Sequence, residues 1–184
     1  MISIQSILCP TDLTSEADEA LRYGVALALS FEAKLFVLTC ADDYGALRGL
    51  EREQTCENIK QCVERVVGMY ADADICKLNW QSIVSDRLHL AAAITTAASE
   101  RAADLIVMRS RRRPLAATLL GSTAEAVCRT APCPVLVTHP KEREWVGYST
   151  GKIDLERVLV AQDFSDYAEL ALHYAVSFAQ EYQS

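Results

Sequence analysis

Three short clusters in this chain carry side chains suited to holding a polar ligand. Pro10, Thr11 and Asp12 place a hydroxyl and a carboxylate directly after an apolar run. A carboxylate there can accept hydrogen bonds from an amine or a sugar hydroxyl, and it can equally cap the helix that follows. Gly121, Ser122 and Thr123 open a helical stretch. Unbonded backbone N–H groups, a hydroxyl and the helix dipole favour an anion at such a place, although glycine and serine before a helix are also ordinary capping. Between these clusters stand Arg109, Arg111, Arg112 and Arg113. Their guanidinium forks suit phosphates and carboxylates, or form a charged flap that stays in water.

The remaining reactive residues are not arranged for chemistry. His89 and His139 have no serine or cysteine at dyad spacing, so both read as structural, and no residue is assigned a catalytic or metal-binding role. Trp80 and Trp145 lack a second aromatic at a stacking interval and read as packing or linker residues. The seven cysteines are odd in number and form no C-x-x-C pair, which fits reduced thiols rather than disulfides or a tetrahedral metal site. A net charge of −7 repels polyanions, so neither nucleic acid nor an anionic membrane surface is an expected partner. The stretch from Val25 to Leu38 is broken by Glu32 and Lys34, which argues against a membrane span, and no basic segment precedes an apolar run at the N-terminus. A cytoplasmic location is expected.

The elements that must position these clusters alternate along the chain. Ile7–Cys9 reads as a buried strand closed by Pro10, and Ala17, Ala20, Leu21, Gly24 and Ala28 give Ser15–Ser30 a helical packing stripe. Strands are expected at Lys34–Cys40, Ile75–Val84, Asp104–Met108 and Val135–Thr138, and helices at Glu51–Tyr70, Asp86–Arg101 and Ser122–Thr130. Such alternation predicts an α/β fold, a doubly wound five-stranded parallel sheet with helices on both faces. Ligands of such sheets lie beyond the carboxyl ends of strands where the topology reverses, which is where the first two clusters fall.

Beyond a charged, turn-rich linker at 140–154, the chain repeats itself. Residues 158–181 match residues 7–30 at eight of 24 positions, among them Leu8/Leu159, Asp12/Asp163, Leu21/Leu172 and Val25/Val176. Residues 155–184 thus read as the first strand and helix of a second, incomplete domain after a first domain at 1–139.

Residues 7–21 (ILCPTDLTSEADEAL) and 107–137 (VMRSRRRPLAATLLGSTAEAVCRTAPCPVLV) resemble the two ends of universal stress protein domains. The resemblance implies strand order 3-2-1-4-5 in a Rossmann-like fold, with the fifth strand at an edge and a homodimer through residues 134–138. It also implies ATP, with Mg, as the ligand, the alternative being a crevice that has lost its nucleotide and binds none. Adenosine contacts would fall to Pro10, Thr11, Asp12 and Cys40 with Met108 beside them, and phosphate contacts to Arg109, Arg112, Gly121, Ser122 and Thr123. ATP-binding members read Gly-x2-Gly-x9-Gly-Ser/Thr in this loop. Here Arg109 and Arg112 take the first two glycine places, and eight residues separate Arg112 from Gly121. If those places need left-handed backbone, each arginine costs about 1–2 kcal/mol. The expectation is a stress-response binding module with a degenerate phosphate loop, acting by association with partners. The alternative is a weak Mg-dependent ATP-hydrolysing enzyme at the same crevice.

Overall fold

The computed structural model describes residues 2–40, 48–71, 77–87, 89–110, 121–139 and 144–182. Strands β1 (Ser6–Pro10), β2 (Lys34–Cys40), β3 (Trp80–Ser85), β4 (Leu105–Arg109) and β5 (Val135–Thr138) alternate with helices α1 (Asp18–Ser30), α2 (Arg48–Val67), α3 (Leu90–Glu100) and α4 (Ser122–Thr130), and α5 (Asp166–Tyr182) closes the chain. The strands form one parallel sheet in the order β3-β2-β1-β4-β5, as expected. Ile7 pairs with both Leu35 and Leu105, so β1 is central. The order reverses between β1 and β4, and the loops leaving those two strands flank the switch point.

Because side chains alternate across a strand, the sheet builds two cores. Ile7, Cys9, Leu35, Val37 and Val107 face α1 and α2, where Leu21, Val25, Ile59 and Val63 meet them. Leu8, Phe36, Leu38, Ile106 and Met108 face α3 and α4 through Ile94, Ala97 and Val127. Asp18 and Arg65 join α1 to α2 by two bonds of 2.8 Å each.

Helix starts differ from the sequence expectation for local reasons. α1 begins at Asp18 rather than Ser15, because Leu13 adopts a left-handed φ of 61° and the Ala17 N–H bonds the Thr14 carbonyl at 2.9 Å, closing a turn first. α3 begins at Leu90 rather than Asp86, because His89 is extended. α1 and α3 end alike. The N–H of Ala33 bonds Ala28 O and that of Ala103 bonds Ala98 O, both at 2.9 Å, while Glu32 (φ 53°) and Ala102 (φ 47°) turn left-handed. This is the Schellman arrangement, built here without glycine.

The stretch read as a linker is packed where it is described. Val146 is 1% exposed and bridges Ile153, Trp145 lies 4.7 Å from the Tyr23 ring, and buried Arg22 donates to the Val146 carbonyl at 3.2 Å. Gly151 has φ +63°, and a Cβ there would stand 2.9 Å from the Tyr70 ring, so the turn demands glycine on both counts.

The second copy reproduces the first at its loop and departs from it at its strand. Thr11 Oγ1 accepts the Leu13 N–H at 3.0 Å, and Gln162 Oε1 accepts the Phe164 N–H at 2.9 Å. Asp12 Oδ1 accepts the Thr14 N–H at 3.1 Å, and Asp163 Oδ1 accepts the Ser165 N–H at 3.0 Å. Phe164 repeats the left-handed backbone of Leu13, with φ 63°. The strand expected at Val158–Val160, however, pairs with no strand among the described residues, and Leu159 is 98% exposed. The segment joins neither outer edge of the sheet, β3 or β5. α5 instead rests on the first domain by its far end: Phe178 and Tyr182 meet the Phe31 ring edge-on, and the Tyr182 hydroxyl shares a hydrogen bond with Ser30 Oγ at 2.9 Å.

Candidate functional site

A cleft of about 700 Å³ opens at the switch point. Nine of the ten residues singled out in the sequence line it: Pro10, Thr11, Asp12, Cys40, Met108, Arg109, Gly121, Ser122 and Thr123. Arg112, with Arg111 and Arg113, lies outside the described residues.

On the β1 side, the turn after Pro10 is rigidly held. The Thr11 N–H bonds Leu38 O at 2.8 Å, its carbonyl accepts the buried Thr39 hydroxyl at 2.6 Å, and its own hydroxyl serves Leu13. Asp12 Oδ1 accepts both the backbone N–H of Thr14 and its hydroxyl, the latter at 2.6 Å. The carboxylate thus shapes a turn before α1, while Asp12 also stands exposed on the cleft wall. Asp12 does not cap α1, whose N-cap is Ala17 with no side-chain hydrogen bond.

On the β4 side, Ser110 is fully buried and pins the two ends of the arginine loop. Its N–H bonds Thr138 O at 2.9 Å, and its Oγ accepts the Gly121 N–H at 3.1 Å. Gly121 is extended and caps α4 with no side-chain hydrogen bond, so the first turn of the helix presents backbone N–H groups to the cleft beside Ser122 and Thr123.

Arg109 takes a different part from the one its position suggests. Its Nη1 donates to Glu16 Oε2 at 2.6 Å, and Nε lies 3.7 Å from Glu19 Oε2, with only 14% of the side chain exposed. The guanidinium spans from the end of β4 to the start of α1 and answers two carboxylates of this chain.

Sequence reasoning missed Thr39, Thr55, Leu90 and Ile94, which also line the cleft, and Ser110, which frames it. Leu90 and Ile94 form an apolar wall on α3 that no chemical motif marks. Ser110 had a signal, a hydroxyl at a strand's carboxyl end, but the arginines around it obscured it. His89 and His139 lie outside the cleft lining, and Trp145 packs on Tyr23, as a packing residue would. No helix among the described residues is long and apolar enough to cross a membrane.

Comparison with known proteins agrees with this geometry. The model of the universal stress protein family matches residues 3–139. A universal stress protein of Methanocaldococcus jannaschii is 31% identical over 146 residues, covering 76% of this chain and 85% of that protein. Among solved structures, a universal stress protein from Archaeoglobus fulgidus DSM 4304 is 21% identical with a TM-score of 0.65, over 100% of this chain and 65% of its own. Another from Archaeoglobus fulgidus, solved in complex with dAMP, is 18% identical with a TM-score of 0.54, over 74% of this chain and 98% of its own. With 137 consecutive residues matched by the family model, and with the sheet order and switch-point cleft that such a domain requires, this chain belongs to the universal stress protein family.

Proposed function

We propose that this chain is a cytoplasmic stress-response module whose cleft takes an adenine nucleotide, and that it acts by association with partners rather than by efficient turnover. The observation that carries this reading is the pairing of two complementary ends in one cleft. Thr11, Asp12, Thr39 and Cys40 offer polar groups for a nucleoside beside the apolar wall of Met108, Leu90 and Ile94, and the uncapped first turn of α4 offers backbone N–H groups for a phosphate. The dAMP complex of a relative with the same fold supports the choice of ligand.

In this reading Gly121, Ser122 and Thr123 hold phosphate and Arg109 does not, since its guanidinium is committed to Glu16. The phosphate loop is degenerate at that position, and Mg enters as a companion of ATP rather than through a protein cluster. The proposed homodimer runs through residues 134–138, where β5 ends the sheet and leaves one side of its backbone for pairing. Residues 155–184 are proposed as the opening of a second domain, on the strength of the repeated loop geometry.

Calorimetric titration with AMP and with ATP plus Mg²⁺ tests the ligand. The expected result is a dissociation constant on the order of micromolar, a loss of about tenfold for Asp12→Ala, consistent with removing one hydrogen-bonded group, and no loss for Arg109→Gly. Absence of binding by both the parent chain and Arg109→Gly would overturn the nucleotide reading.

A further inference from the structure

Among the described residues that line the cleft, Arg109 is the one cation and Asp12 the one carboxylate. The direction of Arg109 follows from its strand. Met108 faces α3 and α4, so the next side chain on β4 turns to the other side of the sheet, toward α1. The start of α1 gathers acids there, as a helix N-terminus favours: Glu16, Asp18 and Glu19. Asp18 is taken by Arg65 through two bonds of 2.8 Å. Glu16 and Glu19 meet Arg109, at 2.6 Å from Nη1 and 3.7 Å from Nε.

This leaves little positive charge for a chain of phosphates. The first turn of α4 supplies dipolar donors equivalent to roughly half a charge, which suits a single phosphate group. Each further phosphate brings more anionic oxygens, and these call for a cation. The cation of the cleft is already engaged, and Asp12, Glu16 and Glu19 set three carboxylates against its single charge at the wall and its rim.

We propose that the cleft takes a nucleoside monophosphate in preference to the di- and triphosphate, and that Glu16 sets this preference by holding Arg109 away from the ligand. The inference rests on the nucleotide reading above and adds to it the number of phosphates. Glu16 is not on the cleft lining and acts through Arg109, so its role is one of positioning. The hold is open to change by substitution. Only 14% of the Arg109 side chain is exposed, so the guanidinium is poorly served by water, and its Nε is buried without a hydrogen-bond partner. A guanidinium in that state turns to another anion when Glu16 loses its charge.

The test is calorimetric titration of the full chain with AMP, ADP and ATP, the last two with and without Mg²⁺. AMP is expected to bind at least about tenfold more tightly than ATP in either condition. Glu16→Gln should raise the affinity for ATP by about tenfold, the worth of one charge-assisted hydrogen bond, and leave that for AMP within about twofold. Glu16→Gln with Glu19→Gln should raise it further. The gain should vanish when Glu16→Gln is combined with Arg109→Gly, which separates release of the guanidinium from mere loss of negative charge. Glu16 is exposed, and circular dichroism checks that each variant keeps the fold. No binding of AMP, ADP or ATP would sink the nucleotide reading and this inference together. AMP binding matched by equally tight ATP binding, or a gain that survives Arg109→Gly, would overturn this inference and leave the nucleotide reading standing.

Discussion

Arg109 illustrates how a residue's neighbours decide its role. Its type suits a phosphate, and its place in the loop is that of a glycine, yet Glu16 and Glu19 claim the guanidinium. Nothing in the spacing of the arginines announces this, because Glu16 and Arg109 are 93 positions apart and meet only once β1 and β4 are neighbours. Asp12 was more legible in place than in part: it stands on the cleft wall, but its carboxylate closes a turn on Thr14 rather than capping α1, whose N-cap is Ala17. Two other residues bear strain that the sequence hides. Glu32 and Ala102 are exposed and left-handed at helix ends where glycine is at ease. Glu32→Gly and Ala102→Gly should each stabilise the fold by about 0.5–1 kcal/mol, the relief of left-handed strain less the added freedom of the unfolded chain. That corresponds to a rise of about 1–4 °C in midpoint for a chain of this length, read by thermal unfolding.

At the scale of elements, the order of strands and helices could be read from apolar runs and helical stripes because this sheet is buried on both faces and each run is short. Boundaries were less legible. The start of α1 depends on the left-handed turn at Leu13, which nothing in its side chain signals, and the packing of Trp145 and Val146 on α1 depends on contacts more than a hundred residues away in sequence. Burial within β1 has a measurable chemical effect. Desolvation pushes the Cys9 thiol from 9.0 up to about 12. The unfolded chain therefore loses this proton first, and the stability is intact below pH 9 and declines as pH rises toward 12. The slope from Cys9 alone is about 1.4 kcal/mol per pH unit above about 9. Urea unfolding between pH 8 and pH 11 should show a shallower decline for Cys9→Ala than for the parent. Equal slopes would mean that the thiol is hydrated in the folded state.

At the scale of the whole molecule, the chain is a five-stranded domain followed by a repeat of its first loop and helix, without the strand that precedes them in the first copy. The family's fold was readable from its two ends, residues 7–21 and 107–137. The fate of the repeat was not, because a sequence identical in pattern to a buried unit does not say whether its partners are present. The same bare segment has a consequence for the survival of the chain. A protease needs an accessible stretch that can be drawn into its active site, and the residues around Leu159 and Phe164 offer one, whereas the sheet does not. Limited digestion with chymotrypsin should cut first between residues 158 and 165, releasing α5 and leaving a fragment ending near residue 158 that resists further cleavage.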